Sequence, residues 1–275
     1  MSDYKFSERK KSIRCTIFTG GDAPEPKAVE SYFISHAPDI VIAADSGLDT
    51  LKRYADAFKS GEAAQAHIDL TPDLIVGDFD SISDVKLIDV YGRSGDANIE
   101  PCETAEKRGA VRIERFPCDK DFTDTELALD AAFREAFLQN AIPFITLIGG
   151  GGGRLDHLLA ICDSFCTPQH ADVWLLSNEA VYLLKSGTAC DISDLKRNDI
   201  VSVARTASSR TGGKLVSHGL FWENFRREGM PSISNRISEN YFTARKPVTF
   251  SACETDFLLI LPLSARVTFR PQENR

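Results

Sequence analysis

Short hydrophobic runs alternate with longer helix-compatible segments through residue 165 of the chain. The runs consist mainly of aliphatic and β-branched residues, which is typical of buried strands. They predict strands at 13–18, 40–44, 73–76, 111–116 and 144–148. The segments between them predict helices over 28–37, 48–58 and 155–165, and behind 123–126. This alternation indicates an α/β fold with a mostly parallel sheet and helices on both faces.

The pattern changes after residue 178. Turn residues now separate short β-rich runs, and we find no clear amphipathic helix between them. The runs lie at 180–184, 199–204, 214–216, 247–250 and 257–261. We therefore predict two domains, an α/β domain over 1–178 and a smaller antiparallel β-sandwich over 179–275.

Two carboxylates, Asp78 and Asp80, follow the predicted strand at 73–76. Ligands of open α/β sheets bind beyond the carboxyl ends of the strands, where this pair is expected. Carboxylate oxygens together with substrate phosphates suit Mg²⁺. The alternative is an ordinary solvated turn, in which Asp is common.

A second acidic cluster occupies 119–126. Thr123 and Glu126 have the spacing of a capping box at the start of a helix, but Asp121 and Asp124 are not explained by capping. A carboxylate from this loop would complete a Mg²⁺ shell with the first pair, and Lys120 would neutralise a phosphate. The alternative is a favourable acidic first turn of the helix.

Five consecutive glycines at 149–153 precede Arg154, Asp156 and His157. Glycines allow backbone N–H groups to approach an anion at a helix amino terminus, and Arg154 would add further donors. A flexible turn explains the glycines equally well. Neither a Walker loop nor a dinucleotide fingerprint is present. Asp156 either binds a ligand or stabilises its helix, and we interpret His157 as structural.

The β-rich region contains one candidate aromatic site. Trp222 would stack on a cationic heteroaromatic ring, and the polar residues Ser232, Ser234 and Asn235 offer hydrogen bonds nearby. A core tryptophan beside an ordinary turn is the alternative.

Composition narrows the possible partners and compartment. A formal net charge of -8 argues against nonspecific nucleic-acid binding. The seven cysteines are odd in number and form no CxxC pair, which indicates reduced thiols rather than a disulfide framework. No apolar stretch has the length of a signal peptide or a membrane span, so we expect a soluble cytoplasmic protein without membrane partners.

Taken in order, these segments resemble the thiamine pyrophosphokinase family. The segments that carry the resemblance are 44–47, 77–81, 120–124, 149 with 152–157, and 219–222 followed by 232–235. The resemblance implies a Rossmann-like α/β nucleotide domain followed by a β-sandwich, in a homodimer. It implies Mg²⁺-dependent transfer of the diphosphate group of ATP to the hydroxyl of thiamine. The segments 52–71 and 94–108 are longer than the resemblance leads us to expect.

The resemblance also assigns roles to residues. The metal ligands would be Asp78, Asp80 and Asp124, and the thiamine pocket at the subunit junction would contain Trp222, Ser232, Ser234 and Asn235. The residues that we expect to bind ATP or support the metal are Asp45, Lys120, Asp121, Gly149, Gly152, Gly153, Arg154 and Asp156. We take Asp121 as the candidate proton acceptor. Two alternatives stay open: another Mg²⁺-dependent phosphohydrolase or nucleotide transferase, and a non-catalytic nucleotide-sensing module.

Overall fold

The computed structural model describes residues 11–83, 86–92, 111–206, 212–224 and 232–272, so the segment 94–108 lies outside it. The strands of the α/β part are β1 (Lys11–Phe18), β2 (Ile40–Ala44), β3 (Leu74–Gly77), β4 (Arg112–Arg115), β5 (Ala141–Ile148) and β6 (Val173–Leu175). The later strands are β7 (Glu179–Leu184), β8 (Thr188–Ser193), β9 (Val201–Arg205), β10 (Lys214–His218), β11 (Ser232–Asn235), β12 (Val248–Cys253), β13 (Phe257–Pro262) and β14 (Arg266–Pro271). The helices are α1 (Glu30–Ser35), α2 (Gly47–Ala57), α3 (Gly61–Gln65), α4 (Lys86–Gly92), α5 (Asp124–Leu138), α6 (Leu155–Ser164) and α7 (Glu239–Thr243).

The larger sheet has ten strands in the order β11-β9-β13-β7-β6-β5-β1-β2-β3-β4. The six strands β6-β5-β1-β2-β3-β4, which form one side of the sheet, pair in parallel. The remaining strands, from β6 through β7, β13 and β9 to β11, pair antiparallel. Because β6 pairs with β7, this sheet continues across residue 178. A second sheet, wholly antiparallel, has the order β10-β12-β8-β14. The prediction of an α/β fold with a large, mostly parallel sheet and a separate antiparallel sheet is confirmed.

Helices cover both faces of the parallel part of the large sheet. On one face, Phe33 of α1 and Leu51 of α2 pack against strand residues such as Val41. On the other face, Leu129 of α5 packs with Ile42 and Leu147. Successive residues of one strand therefore enter opposite cores, as the period of two requires.

The second sheet packs against the antiparallel part of the large sheet. Tyr182 of β7 and Leu259 of β13 share an apolar cluster with Cys190 and Phe250 of the small sheet. The neighbouring residue Val181 instead joins the core beneath α5 and α6. The antiparallel strands of the large sheet thus serve as one layer of a sandwich and as a continuation of the parallel sheet.

The sequence of strands creates one switch of direction. From β1 the chain adds β2, β3 and β4 on one side, and it then returns to place β5 and β6 on the other side of β1. Loops leaving the carboxyl ends of β1 and β5 diverge at such a point and leave a crevice for a ligand.

Sequence patterns missed several short elements. The helix α7 lies in the region where the sequence shows no clear amphipathic helix, because its five residues are too few to show a helical period. Strands β6, β8, β11 and β14 and the short helices α3 and α4 were not predicted. The segment 52–71 contains the end of α2 and the short helix α3. No helix in the described ranges is both long and apolar enough to cross a membrane.

Candidate functional site

A cleft of about 400 Å³ occupies the crevice between the carboxyl ends of β1 and β5. Four short stretches provide most of its wall: 19–22, 44–46, 123–125 and 150–154. Ser81, His157, Ala160 and Ile161 complete the lining. Three of the polar segments predicted from sequence therefore meet in one cleft, at the position where an α/β sheet binds its ligand.

Hydrogen bonds hold the first half of the glycine loop to the end of β6 and to the loop that follows β1. The amide of Gly149 donates to Leu175 O at 3.2 Å, that of Gly150 to Gly20 O at 2.6 Å, and that of Gly151 to Asp22 O at 3.0 Å. Of the predicted ATP-binding glycines, Gly149 therefore supports the loop rather than offering its N–H to a ligand.

Gly152 and Gly153 differ from these glycines. Their amides make no hydrogen bond to the described residues, and both residues are exposed at the cleft with φ of 64°. A Cβ on Gly152 would also collide with the Asp22 carboxylate, whereas a Cβ on Gly153 meets open space. This half of the loop, directly before α6, is the part that can donate N–H groups to an anion.

Three carboxylates converge on the other side of the cleft. Asp45 follows β2, Asp78 follows β3, and Asp124 is the first residue of α5; each offers an oxygen within 4.8 Å of the other two. Asp80 groups instead with Asp78 and the Cys118 thiol. The structure thus brings together two of the three predicted metal ligands and adds Asp45, which we had assigned to ATP.

Lys120 neutralises part of this negative charge. Its Nζ lies 2.8 Å from Asp78 Oδ2 and 3.1 Å from Asp124 Oδ1, and its side chain is 12% exposed. The hydrogen bond from Lys120 lowers the pKa of the Asp78 carboxyl. Burial raises the pKa of Asp124, although the same ammonium acts against this shift. Burial alone would lower the pKa of Lys120, but the two carboxylates outweigh it and raise that pKa.

The carboxylate group fits a divalent cation. Asp45 is only 7% exposed, and its Oδ1 has no hydrogen-bond partner among the residues that the structure describes. A buried carboxylate oxygen without a partner is costly unless a cation or donor reaches it. All three side chains offer hard oxygen ligands, which Mg²⁺ prefers.

Backbone conformation explains how two carboxylates two residues apart reach this edge. Phe79, between Asp78 and Asp80, has φ of 67° and is buried, with the Arg115 guanidinium 4.8 Å from its ring centroid. The ring anchors the loop. The preceding Gly77 lies against the backbone of Asp45, where a Cβ would be only 3.1 Å from the Asp45 Cβ.

The other polar residues predicted in this region are more exposed. Arg154 and Asp156 form an ion pair with side chains that are 70% and 62% exposed. Arg154 and His157 line the cleft, and His157 is exposed on the first turn of α6 rather than packed in the core. Asp121 is exposed and outside the lining of the cleft.

The aromatic candidate is not in the core. Trp222 is 61% exposed, and its ring meets that of Phe221 edge-on with 5.0 Å between centroids. The buried Asn235 holds this loop: its Nδ2 donates to Trp222 O at 2.8 Å, and its Oδ1 accepts from Trp222 N at 3.2 Å. Ser234 is exposed, with φ of 62°, and Ser232 pairs through its backbone with Val203.

Sequence reasoning did not select the hydroxyls at the base of the cleft. Thr19 Oγ1 and Thr125 Oγ1 are 2.7 Å apart, which joins the end of β1 to the first turn of α5. Thr19 is the first residue after the central strand β1. Its position at the carboxyl end of this strand was the signal in the sequence that could have marked it as a residue of the site.

A crevice that combines a glycine loop at a helix amino terminus with a carboxylate cluster is typical of an α/β enzyme of phosphate-group chemistry. The family model of the thiamin pyrophosphokinase catalytic domain matches residues 33–175. The chain belongs to the thiamin pyrophosphokinase family and is an enzyme of this class. The family uses thiamine and ATP as substrates.

Solved structures of this family have a similar fold. A thiamin pyrophosphokinase family protein from Enterococcus faecalis is 20% identical, with a TM-score of 0.57 over 90% of this chain and 98% of that one. A thiamine pyrophosphokinase from Bacillus subtilis is 19% identical, with a TM-score of 0.56 over 90% and 98%. Yeast thiamin pyrophosphokinase is 16% identical, with a TM-score of 0.57 over 93% and 87%. No curated protein sequence matches the chain significantly.

Proposed function

We propose that this enzyme transfers the diphosphate group of ATP to the hydroxyl of thiamine with the help of Mg²⁺, releasing AMP and thiamine diphosphate. The convergence of Asp45, Asp78 and Asp124 on one edge of the cleft, beside the glycine loop, is the observation that carries this proposal. In this proposal residues 1–178 act as a Rossmann-like nucleotide domain, and residues 179–275 bind thiamine and form a homodimer in the cytoplasm.

The carboxylates would hold the cation. Asp78 and Asp124 are its proposed ligands, and Asp45 would supply a third oxygen. Asp80, the third ligand proposed from the sequence, would contribute beside Asp78, the residue with which it groups. Bound Mg²⁺ would offset the charge on the ATP phosphates and on the departing AMP.

The glycine loop would bind the phosphates. The amides of Gly152 and Gly153 and the amino terminus of α6 offer donors to an anion. Arg154 adds its guanidinium when it leaves Asp156, and the exposure of this ion pair keeps that exchange inexpensive. Attack by the thiamine oxygen on the β-phosphorus forms one P–O bond and breaks the bond to the α-phosphate oxygen.

Thiamine would be bound by the loop at the edge of the sandwich. The exposed ring of Trp222 can stack on a cationic heterocycle, and Ser232 and Ser234 belong to the adjacent strand. The proposed role of Asn235 becomes indirect, because both ends of its amide bind the Trp222 backbone. Asp121 lies on the exposed loop before α5. It would accept the proton of the thiamine hydroxyl when thiamine approaches the site from the side of this loop.

One assay tests the proposal against its alternatives. The protein is incubated with ATP and Mg²⁺, with and without thiamine, and AMP and thiamine diphosphate are followed. Diphosphate transfer requires thiamine and yields both products in equal amounts. Nucleotide release without thiamine would instead indicate a phosphohydrolase, and ATP binding without turnover would indicate a sensing module.

A variant pair tests the site itself. We expect Asp78→Ala to lower turnover about a hundredfold or more while the protein stays folded, because a ligand of the catalytic cation is lost. Asp163→Ala, which removes an exposed carboxylate of α6, is the matched control and should retain full activity. Near-normal AMP formation by folded Asp78→Ala would defeat the assignment.

A further inference from the structure

The ammonium of Lys120 lies between the carboxylates of two proposed metal ligands, Asp78 and Asp124. Its ammonium lies 2.8 Å from Asp78 and 3.1 Å from Asp124, and the three side chains are only 12%, 10% and 24% exposed. Surface lysines of this chain differ: the Lys59 side chain is 74% exposed where it pairs with Asp56. Lys120 therefore forms a partly buried bridge between two carboxylates rather than a surface ion pair.

The ammonium and a divalent cation would compete for the same oxygens. Mg²⁺ binds oxygens at about 2.0–2.1 Å, so an ion on Asp78 and Asp124 would stand within a few ångströms of the present Nζ position. Two cations at such a separation repel strongly in a partly buried site. Asp45 Oδ1, which has no partner in the described part of the chain, provides a further oxygen that the ammonium leaves unused.

We infer that Lys120 is an exchangeable counter-ion, which bridges Asp78 and Asp124 in the free enzyme and moves to a phosphate oxygen when the metal arrives with the nucleotide. This inference rests on the proposed function. Lysine suits the exchange because its charge is compact and its four-carbon stem is flexible. Lys120 also precedes α5, so the side chain can turn without disturbing a helix.

The exchange predicts coupled binding of metal and nucleotide. When the metal binds alone, it must displace the Lys120 ammonium, which then has no new partner. When the metal binds together with ATP, the phosphate oxygens of ATP become the new partner of this ammonium. Each ligand therefore raises the affinity of the other by the same factor, as linkage requires. The enzyme would bind little free metal and would select the metal–nucleotide complex.

The test measures binding of Mn²⁺ alone to the nucleotide-free protein, through the electron paramagnetic resonance signal of the free ion. In Lys120→Met the affinity for Mn²⁺ should rise about tenfold or more, because the competing charge is gone. Lys120→Arg, which keeps the charge, should not tighten binding. Lys59→Met, which removes an exposed lysine, should leave the affinity unchanged.

Folding and nucleotide binding are checked in the same variants. The α,β-methylene analogue of ATP cannot be cleaved at the transferred bond, and its affinity should gain less from added metal in Lys120→Met than in the wild type. A folded Lys120→Met protein with unchanged or weaker Mn²⁺ affinity overturns the inference. A structural role for Lys120 would weaken metal binding, not strengthen it.

Wild-type protein offers a second route if the variants do not fold. The ¹⁵Nζ resonance of Lys120 should shift when Mg²⁺ and the α,β-methylene analogue are added together, and an unchanged resonance overturns the exchange. The two proposals fail separately. If Lys120→Met binds Mn²⁺ more tightly but the wild type transfers no diphosphate, the exchange stands and the proposed reaction is refuted. If the wild type transfers diphosphate but Lys120→Met does not bind Mn²⁺ more tightly, the reaction stands and the exchange is refuted.

Discussion

Replacing Asp45 with asparagine should stabilise the metal-free protein and inactivate it. Asp45 is buried, and one of its oxygens lies within 4.8 Å of oxygens of Asp78 and Asp124. At this separation a pair of like charges costs about 3 kcal/mol with an effective dielectric constant of about 20. Lys120 offsets part of that repulsion, so we expect the neutral amide to raise the free energy of unfolding by about 1–3 kcal/mol.

The backbone does not oppose this substitution. Asp45 has φ of 46°, a region that asparagine adopts more readily than most residues. Its backbone hydrogen bonds, from its N–H to Val76 O and to its own O from Leu48 N, do not involve the side chain. The new amide group can also donate to the neighbouring carboxylates.

Thermal unfolding in EDTA measures the effect. For a chain of this size each kcal/mol shifts the melting temperature by about 2–4 °C, so Asp45→Asn should melt about 2–12 °C above the wild type. The control Asp130→Asn, at an exposed position of α5, should change little. A melting temperature below that of the wild type would refute the repulsion argument, and full activity would refute the role of Asp45 as a ligand.

Three further predictions concern thiamine, phosphates and folding. Trp222→Ala should weaken thiamine binding about tenfold or more and leave ATP binding nearly unchanged, as measured by calorimetry with each substrate. Gly152→Ala should reduce ATP affinity and thermal stability more than Gly153→Ala, because only the first Cβ collides with Asp22. Thr123→Ala should lower the free energy of unfolding by about 1 kcal/mol in chemical denaturation, because the capping box of α5 is lost.

Each of these has an outcome that contradicts it. Equal losses of thiamine and ATP affinity in Trp222→Ala would reject stacking. Equal effects of the two glycine substitutions would mean that backbone conformation, which they share, decides the result. Unchanged unfolding of Thr123→Ala would show that the cap adds nothing to the packing of α5.

Local pattern determined much of this protein in advance. The runs at 40–44 and 144–148 became β2 and β5 because continuous apolar residues are stable only as buried strands here. The spacing of Thr123 and Glu126 produced the capping box as predicted. Both signals lie within a few residues of one another, so no distant contact is needed to interpret them.

Only tertiary structure decided which carboxylates meet. Asp78 and Asp80 are neighbours in sequence, yet it is Asp45, from another strand end, that joins Asp78 and Asp124, because parallel order brings the ends of β2 and β3 together. The strand β7 likewise pairs with β13, which lies more than 70 residues later in the chain, and no local pattern records that pairing. Composition and spacing select the chemistry of a chain, whereas strand order selects which of its side chains share a site.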